Sequence, residues 1–422
     1  NTRKSLQKFI FNMNDDKEKL LAIEAIQKKL LGKKLTYPEI YAVMDEIAQE
    51  KLSDVLTTYF VASSFKEGYT PQELFYFTKA MVETGNKLKF KGLVADKHSV
   101  GGIAGTRTTM IIVPIIAAAG FKIPKISSRA ITTPAGTADV MEAVAKVEFT
   151  PKEITKIVNE VGGCIAWNGK LGIAPADDII IRVEEPLSFE SFDKIIISVM
   201  AKKIAAGTTH LVLDIPIGKT AKIHRFSDGE EVAKKFKNLA ERFGIKVICD
   251  VNETLEPAGR GIGPILEVRD VLYVLEQKTD RPLRLEAKSV RLAGELLDLC
   301  YKEKKINKNG EDEARKILES GSALTKFQEI VKNQGGVHKI TSDSLELAKN
   351  KFDVRSSTSG KIKDINNHNL NTVAKILGAP NDKKAGIYLL KKLDHSVNRN
   401  ESIFILYSDD KSSVIRGISS RA

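Results

Sequence analysis

Hydrophobic residues in the first ninety positions recur at the three- and four-residue spacing of helices that are buried on one face. One such stripe runs from Leu20 to Leu30, and Gly32 ends it. This spacing is typical of an amphipathic helix, and glycine is the usual residue just beyond a helix carboxyl end. Nothing in this part of the chain alternates as a strand does, so we predict an all-helical segment over residues 1–90.

Two short motifs in this segment mark where helices begin. Thr36-Tyr-Pro-Glu39 and Thr70-Pro-Gln-Glu73 each place a threonine three positions before a glutamate. In such a capping box the hydroxyl oxygen accepts a hydrogen bond from the third helical N–H, and the carboxylate reaches back to the N–H of the cap residue. Between the two motifs, Ser53 begins a further predicted helix that ends near Gly68.

From about Lys91 the pattern changes to short β-rich runs separated by glycine turns and helices, which indicates a mostly parallel sheet with alternating β and α elements. Residues 211–215 and 246–251 are predicted buried strands, and 176–206 is a second helical stretch. Short strands near 387 and 403 predict a small carboxy-terminal α/β domain. The predicted fold class is α/β with a discontinuous helical domain, and the predicted segments are 1–90 (helical), 91–175 (α/β), 176–206 (helical), 207–345 (α/β) and 346–422 (carboxy-terminal α/β).

Composition places the chain among ordinary globular proteins. Of its 422 residues, 42% are hydrophobic and 28% are charged, which excludes disordered and fibrous classes. The net charge of +12 makes phosphate, nucleotides and polyanions plausible partners. The longest apolar run, 110–120, contains Pro114 and is shorter than the roughly 20 residues that span a bilayer, so we interpret it as a buried helix and expect no membrane partner. Cys164, Cys249 and Cys300 form no CxxC pair, which favours a reduced, cytoplasmic compartment.

The segment Asp96-Lys-His-Ser-Val-Gly-Gly-Ile-Ala-Gly-Thr-Arg-Thr-Thr109 is the most informative in the chain. We expect it to follow a strand and to lead into the apolar helix. Its three glycines allow a ligand to approach the backbone closely, and Lys97, Ser99 and Thr109 add cationic and hydroxyl donors. These features predict a phosphate cradle. The alternative is a tight strand-to-helix turn whose hydroxyls only cap the helix.

Two other glycine motifs fail on spacing. Gly218-Lys-Thr220 ends like a P-loop, but Leu213 stands where the first glycine is required. Gly259-Arg-Gly-Ile-Gly263 lacks the third glycine of the dinucleotide-binding spacing. The first motif is therefore not a P-loop, and the second is a weak signal for dinucleotide binding.

A second informative segment runs from Ile126 to Glu142 and is dense in hydroxyls around one arginine. Arg129 can bind a phosphate or carboxylate through two parallel hydrogen bonds. The neutral donors beside it are Ser127, Ser128, Thr132, Thr133 and Thr137. Such a set suits a sugar phosphate. The alternative is a polar surface loop in which Thr137 caps a helix.

The second helical stretch adds weaker candidates. Ser198 and Lys202 are four residues apart and share a helix face, where they can bind a base or a phosphate or simply belong to a solvated basic face. Glu190 is a candidate acid, or a favourable partner of a helix dipole. The histidines lack metal-ligand spacing, so we expect no metal site. Trp167 stands alone, so stacking on nucleic acid has little support.

Taken in order, Lys97-His-Ser-Val-Gly-Gly, the segment from Ser127 to Glu142, Ala174-Pro-Ala-Asp-Asp178 and Ser198-Val-Met-Ala-Lys-Lys203 resemble the thymidine phosphorylase superfamily, on its AMP phosphorylase branch. The resemblance covers most of the chain. The Ser-Arg-Ala-Ile-Thr sequence is similar to that of AMP phosphorylases, whereas thymidine phosphorylases are glycine-rich there and have a histidine where this chain has Thr133. They also have an arginine where this chain has Glu184, whose ionised carboxylate cannot donate to a pyrimidine carbonyl.

The resemblance implies a nucleoside phosphorylase fold and a role for each matching residue. Glu190 matches the proton donor, where the family has Asp. The implied orthophosphate ligands are Lys97, Ser99, Thr109 and Ser127. The implied nucleotide ligands are Gly102, Ser128, Arg129, Ala130, Ile131, Thr132, Thr133, Thr137, Ser198, Lys202 and Lys222.

The implied reaction is phosphorolysis of a nucleoside 5′-monophosphate, with AMP as the expected substrate and no cofactor, because orthophosphate is itself a substrate. We also expect a homodimer, and we expect the start at Asn1 to follow a truncation of the family's amino-terminal assembly domain. Three alternatives stay open. They are a pyrimidine-nucleoside phosphorylase, a phosphoribosyltransferase, and a non-catalytic RNA-binding module.

Overall fold

The computed structural model describes residues 17–63, 68–130, 133–184 and 191–410. The helices in these ranges are α1 (17–30), α2 (Tyr37–Ala48), α3 (Asp54–Ser63), α4 (Pro71–Glu83), α5 (Thr109–Ala118), α6 (Thr137–Glu142), α7 (Pro151–Val161), α8 (Pro175–Glu184), α9 (Phe192–Ala205), α10 (Phe226–Arg242), α11 (Pro264–Leu275), α12 (Leu283–Lys304), α13 (Gly310–Glu319), α14 (Ser322–Asn333) and α15 (Asn367–Ile376). The strands are β1 (Ala95–Ser99), β2 (Ile123–Ser127), β3 (Gly163–Trp167), β4 (His210–Ile217), β5 (Lys246–Glu253), β6 (Gly261–Ile262), β7 (Asn350–Arg355), β8 (Gly360–Lys361), β9 (Gly386–Leu389), β10 (Ser396–Val397) and β11 (Ser402–Ser408).

The chain divides into two compact units. A helical unit comprises residues 1–89, 171–207 and 234–245, and a second unit comprises 90–170, 208–233 and 246–422. The predicted fold class is confirmed, because the helical unit is discontinuous in sequence and the second unit contains the parallel sheet. Residues 234–245, which we predicted within the α/β segment, belong to the helical unit.

The helices of the first unit begin where the capping motifs predict. Thr70 precedes α4, and the Glu73 N–H donates to its hydroxyl over 3.2 Å while the Thr70 N–H donates to the Glu73 carboxylate over 3.1 Å. At α2 the Thr36 N–H likewise donates to Glu39, over 2.7 Å. The first helix ends just before Gly32, whose φ of +72° is a conformation that glycine tolerates best.

Parallel strands form the centre of the second unit. One sheet has the order β1-β4-β5 and another pairs β2 with β3, while a parallel bridge between Val94 and Lys122 links β1 to β2. Strand β4 lies between β1 and β5 and is buried along its whole length, which explains why its residues other than His210 and Asp214 are apolar. Helix α5 is also buried along most of its length, as we predicted for the run that contains Pro114.

Two details of this sheet differ from the sequence analysis. We predicted 246–251 as a buried strand, but β5 is only half-buried along most of its length because it lies at the edge of its sheet. We also expected the segment that begins at Asp96 to follow a strand. Residues 96–99 are instead the body of β1 itself, so Lys97 and Ser99 are strand residues.

The carboxy-terminal region is built on an antiparallel sheet of order β6-β9-β11-β7 with α15 against it. Its core includes Leu370, Ile387 and Leu406, and it also contains Ala104 and Ile262 from earlier in the chain. Ala104 belongs to the glycine segment that follows β1. The carboxy-terminal core therefore also packs against the predicted phosphate loop. Among helices in the described ranges, none has the length and hydropathy to cross a membrane.

The capping geometry gives a stability prediction for the helical unit. Thr70→Ala removes the hydroxyl that accepts the Glu73 N–H, and we expect the free energy of unfolding to fall by about 1 kcal/mol. Urea unfolding followed by circular dichroism measures it. Thr58→Ala is the control, because the Thr58 hydroxyl only donates to the Asp54 carbonyl within α3 and caps no helix. Equal losses for the two variants would contradict the assignment of Thr70 as a cap.

Candidate active site

The glycine loop, residues 100–108, leaves the carboxyl end of β1 and is fixed against a later part of the chain. Gly101 and Gly102 have φ of +88° and +95°, which L side chains rarely adopt. The Gly259 N–H donates a 2.8 Å hydrogen bond to the Gly105 carbonyl. A Cβ on Gly105 would lie 2.6 Å from the Gly261 carbonyl oxygen. Gly259 thus serves close packing against this loop, since its own Cβ would lie 2.7 Å from the Gly105 carbonyl oxygen.

Lys97 points from β1 into the interior and is 2% exposed. Its ammonium nitrogen donates to the Thr108 hydroxyl over 2.9 Å and lies 3.7 Å from Asp214. Burial lowers the pKa of Lys97 to about 8, although the Asp214 carboxylate raises it. Lys97 is therefore still mostly protonated at neutral pH, and it has the charge that a phosphate ligand needs.

The other predicted phosphate ligands lie at neighbouring strand and helix ends. Ser99 is the last residue of β1 and Ser127 is the last residue of β2, and the two strands run parallel. Because carboxyl ends of parallel strands meet at one edge of a sheet, the two serines lie at the same edge. The Ser127 hydroxyl donates to the Ser128 carbonyl over 3.2 Å. Thr109 is the first residue of α5, directly after the glycine loop.

Arg129 already binds carboxylates of the protein. Its guanidinium donates to both oxygens of Glu142, over 2.5 and 2.7 Å, and to Glu148 over 3.2 Å. It also lies over the Trp167 ring, 4.5 Å from the centroid. The Arg129 side chain lowers the pKa of Glu142 to about 2, with Lys383 acting in the same direction. The predicted bidentate pairing is thus formed with Glu142, and the nucleotide-binding role of Arg129 stays a prediction.

The rest of the hydroxyl-rich segment is organised by Asp139. Its carboxylate accepts the Ala130 N–H over 2.6 Å and the Gly136 N–H over 2.8 Å. Gly136 is the N-cap of α6, so the alternative in which Thr137 caps the helix is wrong. Thr133 donates to the Ala135 carbonyl over 3.0 Å. Ile131 and Thr132 lie outside the described residues.

Arg107 connects the glycine loop to this second segment, although we predicted no role for it from the sequence. Its guanidinium donates to the Thr137 hydroxyl over 3.1 Å, to the Ala135 carbonyl over 2.9 Å and to Glu267 of α11 over 2.7 Å. Its position between the threonines of the predicted phosphate loop was a signal in the sequence. Its hydrogen-bond partners could not be predicted, because they lie 28 to 160 residues further along the chain.

Gly102 and Lys222, both implied nucleotide ligands, are brought together. A Cβ on Gly102 would lie 2.9 Å from the Lys222 Cγ and 3.1 Å from the Lys222 backbone nitrogen. Only a residue without a side chain allows this approach.

In the helical unit, Ser198 and Lys202 share one face of α9, as predicted. Asp177 of α8 accepts from the Ser198 hydroxyl over 2.9 Å and pairs with the Lys202 ammonium over 2.5 Å. Lys202 and Lys203 are both buried, so the alternative of a solvated basic face is wrong. Burial lowers the pKa of Lys202, but Asp177 more than offsets this and the net pKa is raised. Glu190, the predicted proton donor, lies outside the described residues.

Two further residues that the sequence analysis named, Thr220 and Glu184, form hydrogen bonds within the protein. Thr220, in the P-loop-like motif, accepts a 2.8 Å hydrogen bond from the Asn367 side chain. Glu184 accepts from Lys194 over 2.5 Å. Within the described ranges, no group of three or more His, Cys, Asp and Glu side chains is arranged to hold a metal ion. The expectation of a metal-free site stays a prediction.

Comparison with known proteins decides the family. The chain matches models of a glycosyl transferase family for its helical bundle domain (residues 23–85) and its a/b domain (91–324), and of the pyrimidine nucleoside phosphorylase C-terminal domain (361–419). It is 42% identical to an AMP phosphorylase of Methanococcus aeolicus over 93% of this chain and 78% of that protein. The chain belongs to the AMP phosphorylase family.

Other family members give similar values. An AMP phosphorylase of Methanocaldococcus jannaschii is 41% identical over 93% of this chain and 78% of its own length. AMP phosphorylase 1 of Archaeoglobus fulgidus is 41% identical over 92% of this chain and 76% of its own length. Among solved structures, anthranilate phosphoribosyltransferase from Thermus thermophilus has a TM-score of 0.62 at 21% identity, over 74% of this chain and 99% of that one. This likeness shows a shared fold.

The close approach at Gly102 gives a prediction with a matched control. Gly102→Ala and Gly120→Ala both place a side chain at positive φ, which costs about 1–2 kcal/mol. A Cβ at Gly120 meets nothing within 4 Å, whereas at Gly102 it meets Lys222. We therefore expect Gly102→Ala to lower the thermal unfolding midpoint clearly more than Gly120→Ala does. Equal midpoints would mean that Lys222 does not approach the loop.

Proposed function

We propose that the chain catalyses reversible phosphorolysis of a nucleoside 5′-monophosphate, with AMP and phosphate giving adenine and ribose 1,5-bisphosphate. The observation that carries this proposal is the identity of about 42% to AMP phosphorylases over 93% of the chain. The buried Lys97 beside a glycine loop supports it, because the attacking group is a phosphate anion.

In the proposed mechanism the bond between C1′ and the base nitrogen loosens toward an oxocarbenium-like state. An oxygen of inorganic phosphate forms the new bond to C1′, and the electron pair of the broken bond leaves with the base. A proton then neutralises the leaving base. Lys97, Ser99, Thr109 and Ser127 are the proposed phosphate ligands. The implied nucleotide ligands named above, Lys202 among them, are proposed to hold the nucleotide.

The proposal extends to the setting of the reaction. We propose that the enzyme needs no cofactor, that its partners are small molecules and a second copy of the chain, and that it acts in the cytoplasm. The occurrence of buried, free thiols at Cys164 and Cys300 supports a reduced compartment.

A substrate panel tests the proposed function. Purified protein is incubated with phosphate and, separately, with AMP, CMP, UMP, adenosine, uridine or thymidine, and released base is measured by chromatography with and without EDTA. We expect base release from AMP that exceeds release from adenosine and thymidine and that survives EDTA. Faster cleavage of thymidine or uridine would favour the pyrimidine-nucleoside phosphorylase. A strict need for Mg²⁺ and diphosphate would favour a phosphoribosyltransferase, and salt-sensitive RNA binding without phosphorolysis would favour a binding module.

Glu190 is the proposed proton donor for the leaving base. An unperturbed glutamate, with a pKa of about 4.3, is ionised at neutral pH, so this role requires its surroundings to raise the pKa. We expect Glu190→Gln to lower kcat by about 10²–10⁴-fold with little change in the KM for phosphate. Glu190→Asp restores the residue of the family and serves as the conservative control, which we expect to stay active. An unchanged kcat in Glu190→Gln would remove Glu190 from the mechanism.

A further inference from the structure

Asp214 contacts two of the proposed phosphate ligands at once. In the parallel register of β1 and β4 it is the direct partner of Ser99. Its Oδ2 accepts a 2.9 Å hydrogen bond from the Ser99 hydroxyl and lies 3.7 Å from the Lys97 ammonium nitrogen. The Asp214 side chain is 2% exposed. One buried carboxylate oxygen therefore fixes a charged and a neutral donor together.

The other oxygen of Asp214 is held from two further elements. Oδ1 accepts from the Asn252 side-chain amide of β5 over 2.8 Å and pairs with the Lys288 ammonium of α12 over 2.9 Å. Lys288 also donates to the Asn252 side-chain oxygen over 3.0 Å. These three side chains form a closed triangle of hydrogen bonds, which leaves the carboxylate little freedom to rotate away from Lys97.

The charges around Lys97 act in opposite directions on its pKa. Burial, Lys288 of α12 and Arg107 of the glycine loop lower the pKa of Lys97, and Asp214 raises it. On the other side of Lys97, the Lys125 ammonium of β2 donates to the Lys97 carbonyl over 2.8 Å and lies 3.7 Å from Asp96. Burial would raise the pKa of Asp214, but Lys97 and Lys288 hold it at about 2.

We propose that Asp214 is a positioning residue for the attacking phosphate, which keeps Lys97 charged and aimed and holds the Ser99 hydroxyl in place. This inference rests on the proposed phosphorolysis. Asp214 acts through Lys97, because an ionised carboxylate repels a phosphate dianion. Lys288 supplies the second positive charge, so the cluster of two lysines and one carboxylate keeps a net positive charge for the incoming anion.

A double-mutant cycle tests whether Asp214 acts through Lys97. The proteins are wild type, Asp214→Asn, Lys97→Met and the double variant, and the readouts are kcat and the separate KM values for phosphate and AMP. We expect Asp214→Asn to raise the KM for phosphate at least tenfold and the KM for AMP less than threefold. In the Lys97→Met background the same change is expected to have less than a twofold effect. The control is Asp298→Asn, which should match wild type. Asp298 lies on α12, the helix that carries Lys288, and its carboxylate accepts the Gly310 N–H.

The pH dependence supplies a readout that a merely structural role would not move. Loss of the Lys97 proton ends phosphate binding at high pH, so the alkaline limb of kcat/KM for phosphate follows the pKa of Lys97. Asp214→Asn removes a neighbour that raises this pKa and should move the limb to lower pH. Lys288→Gln removes a neighbour that lowers it and should move the limb to higher pH. If Asp214→Asn fails to fold, the shift of the alkaline limb in Lys288→Gln is measured in its place.

Two results would overturn the proposal. One is an effect of Asp214→Asn that is as large in the Lys97→Met background as in wild type. The other is an alkaline limb that does not rise in Lys288→Gln. If the wild-type protein cleaves no nucleotide, the proposed function fails by itself. Calorimetric titration of wild type and Asp214→Asn with inorganic phosphate then tests the role of Asp214, and we expect at least tenfold weaker binding by the variant.

Discussion

The candidate phosphate site depends on keeping an ammonium group charged inside the protein. An isolated buried charge costs several kcal/mol, so Lys97 requires a carboxylate held at close range. Asp214 meets this requirement because β1 and β4 pair with Ser99 directly opposite Asp214. A slip of one residue between the strands would turn the carboxylate to the other face of the sheet. The register that buries the apolar side chains of β4 therefore also sets the charge of the site.

The glycine loop depends in turn on parts of the chain that follow it by more than a hundred residues. Gly105 accepts the Gly259 N–H, and Ala104 packs in the core that contains Ile387. Arg107 extends from the same loop to Glu267 of α11 and to Thr137 of the hydroxyl-rich segment. The carboxy-terminal sheet and α11 thus hold both predicted ligand-binding segments in place. We expect substitutions that disrupt the packing of either element to change the geometry of the site, even though neither element supplies a proposed ligand-binding residue.

The sequence predicted those elements that interactions between neighbouring residues determine. Helix starts at Thr36 and Thr70 follow from capping within four residues, and α5 follows from an apolar run that fits only an interior. The half-exposure of β5 could not be predicted, because an edge position is a property of strand order. Asp214 was missed for the same reason, since its contact with Ser99 spans 115 residues and exists only once β4 lies beside β1. The matching motifs located the candidate residues, but not the carboxylates that pair with them.

These carboxylates change what the net charge of +12 means for anion binding. Arg129 is neutralised by Glu142 and Lys202 by Asp177, although both cations looked available in the sequence. Lys97 differs because its carboxylate is shared with Lys288, which leaves one positive charge in excess. We therefore propose that attraction for phosphate follows from the local ratio of buried cations to carboxylates. Exposed lysines add to the total charge, but salt screens their attraction for an anion far more than it screens a buried cluster.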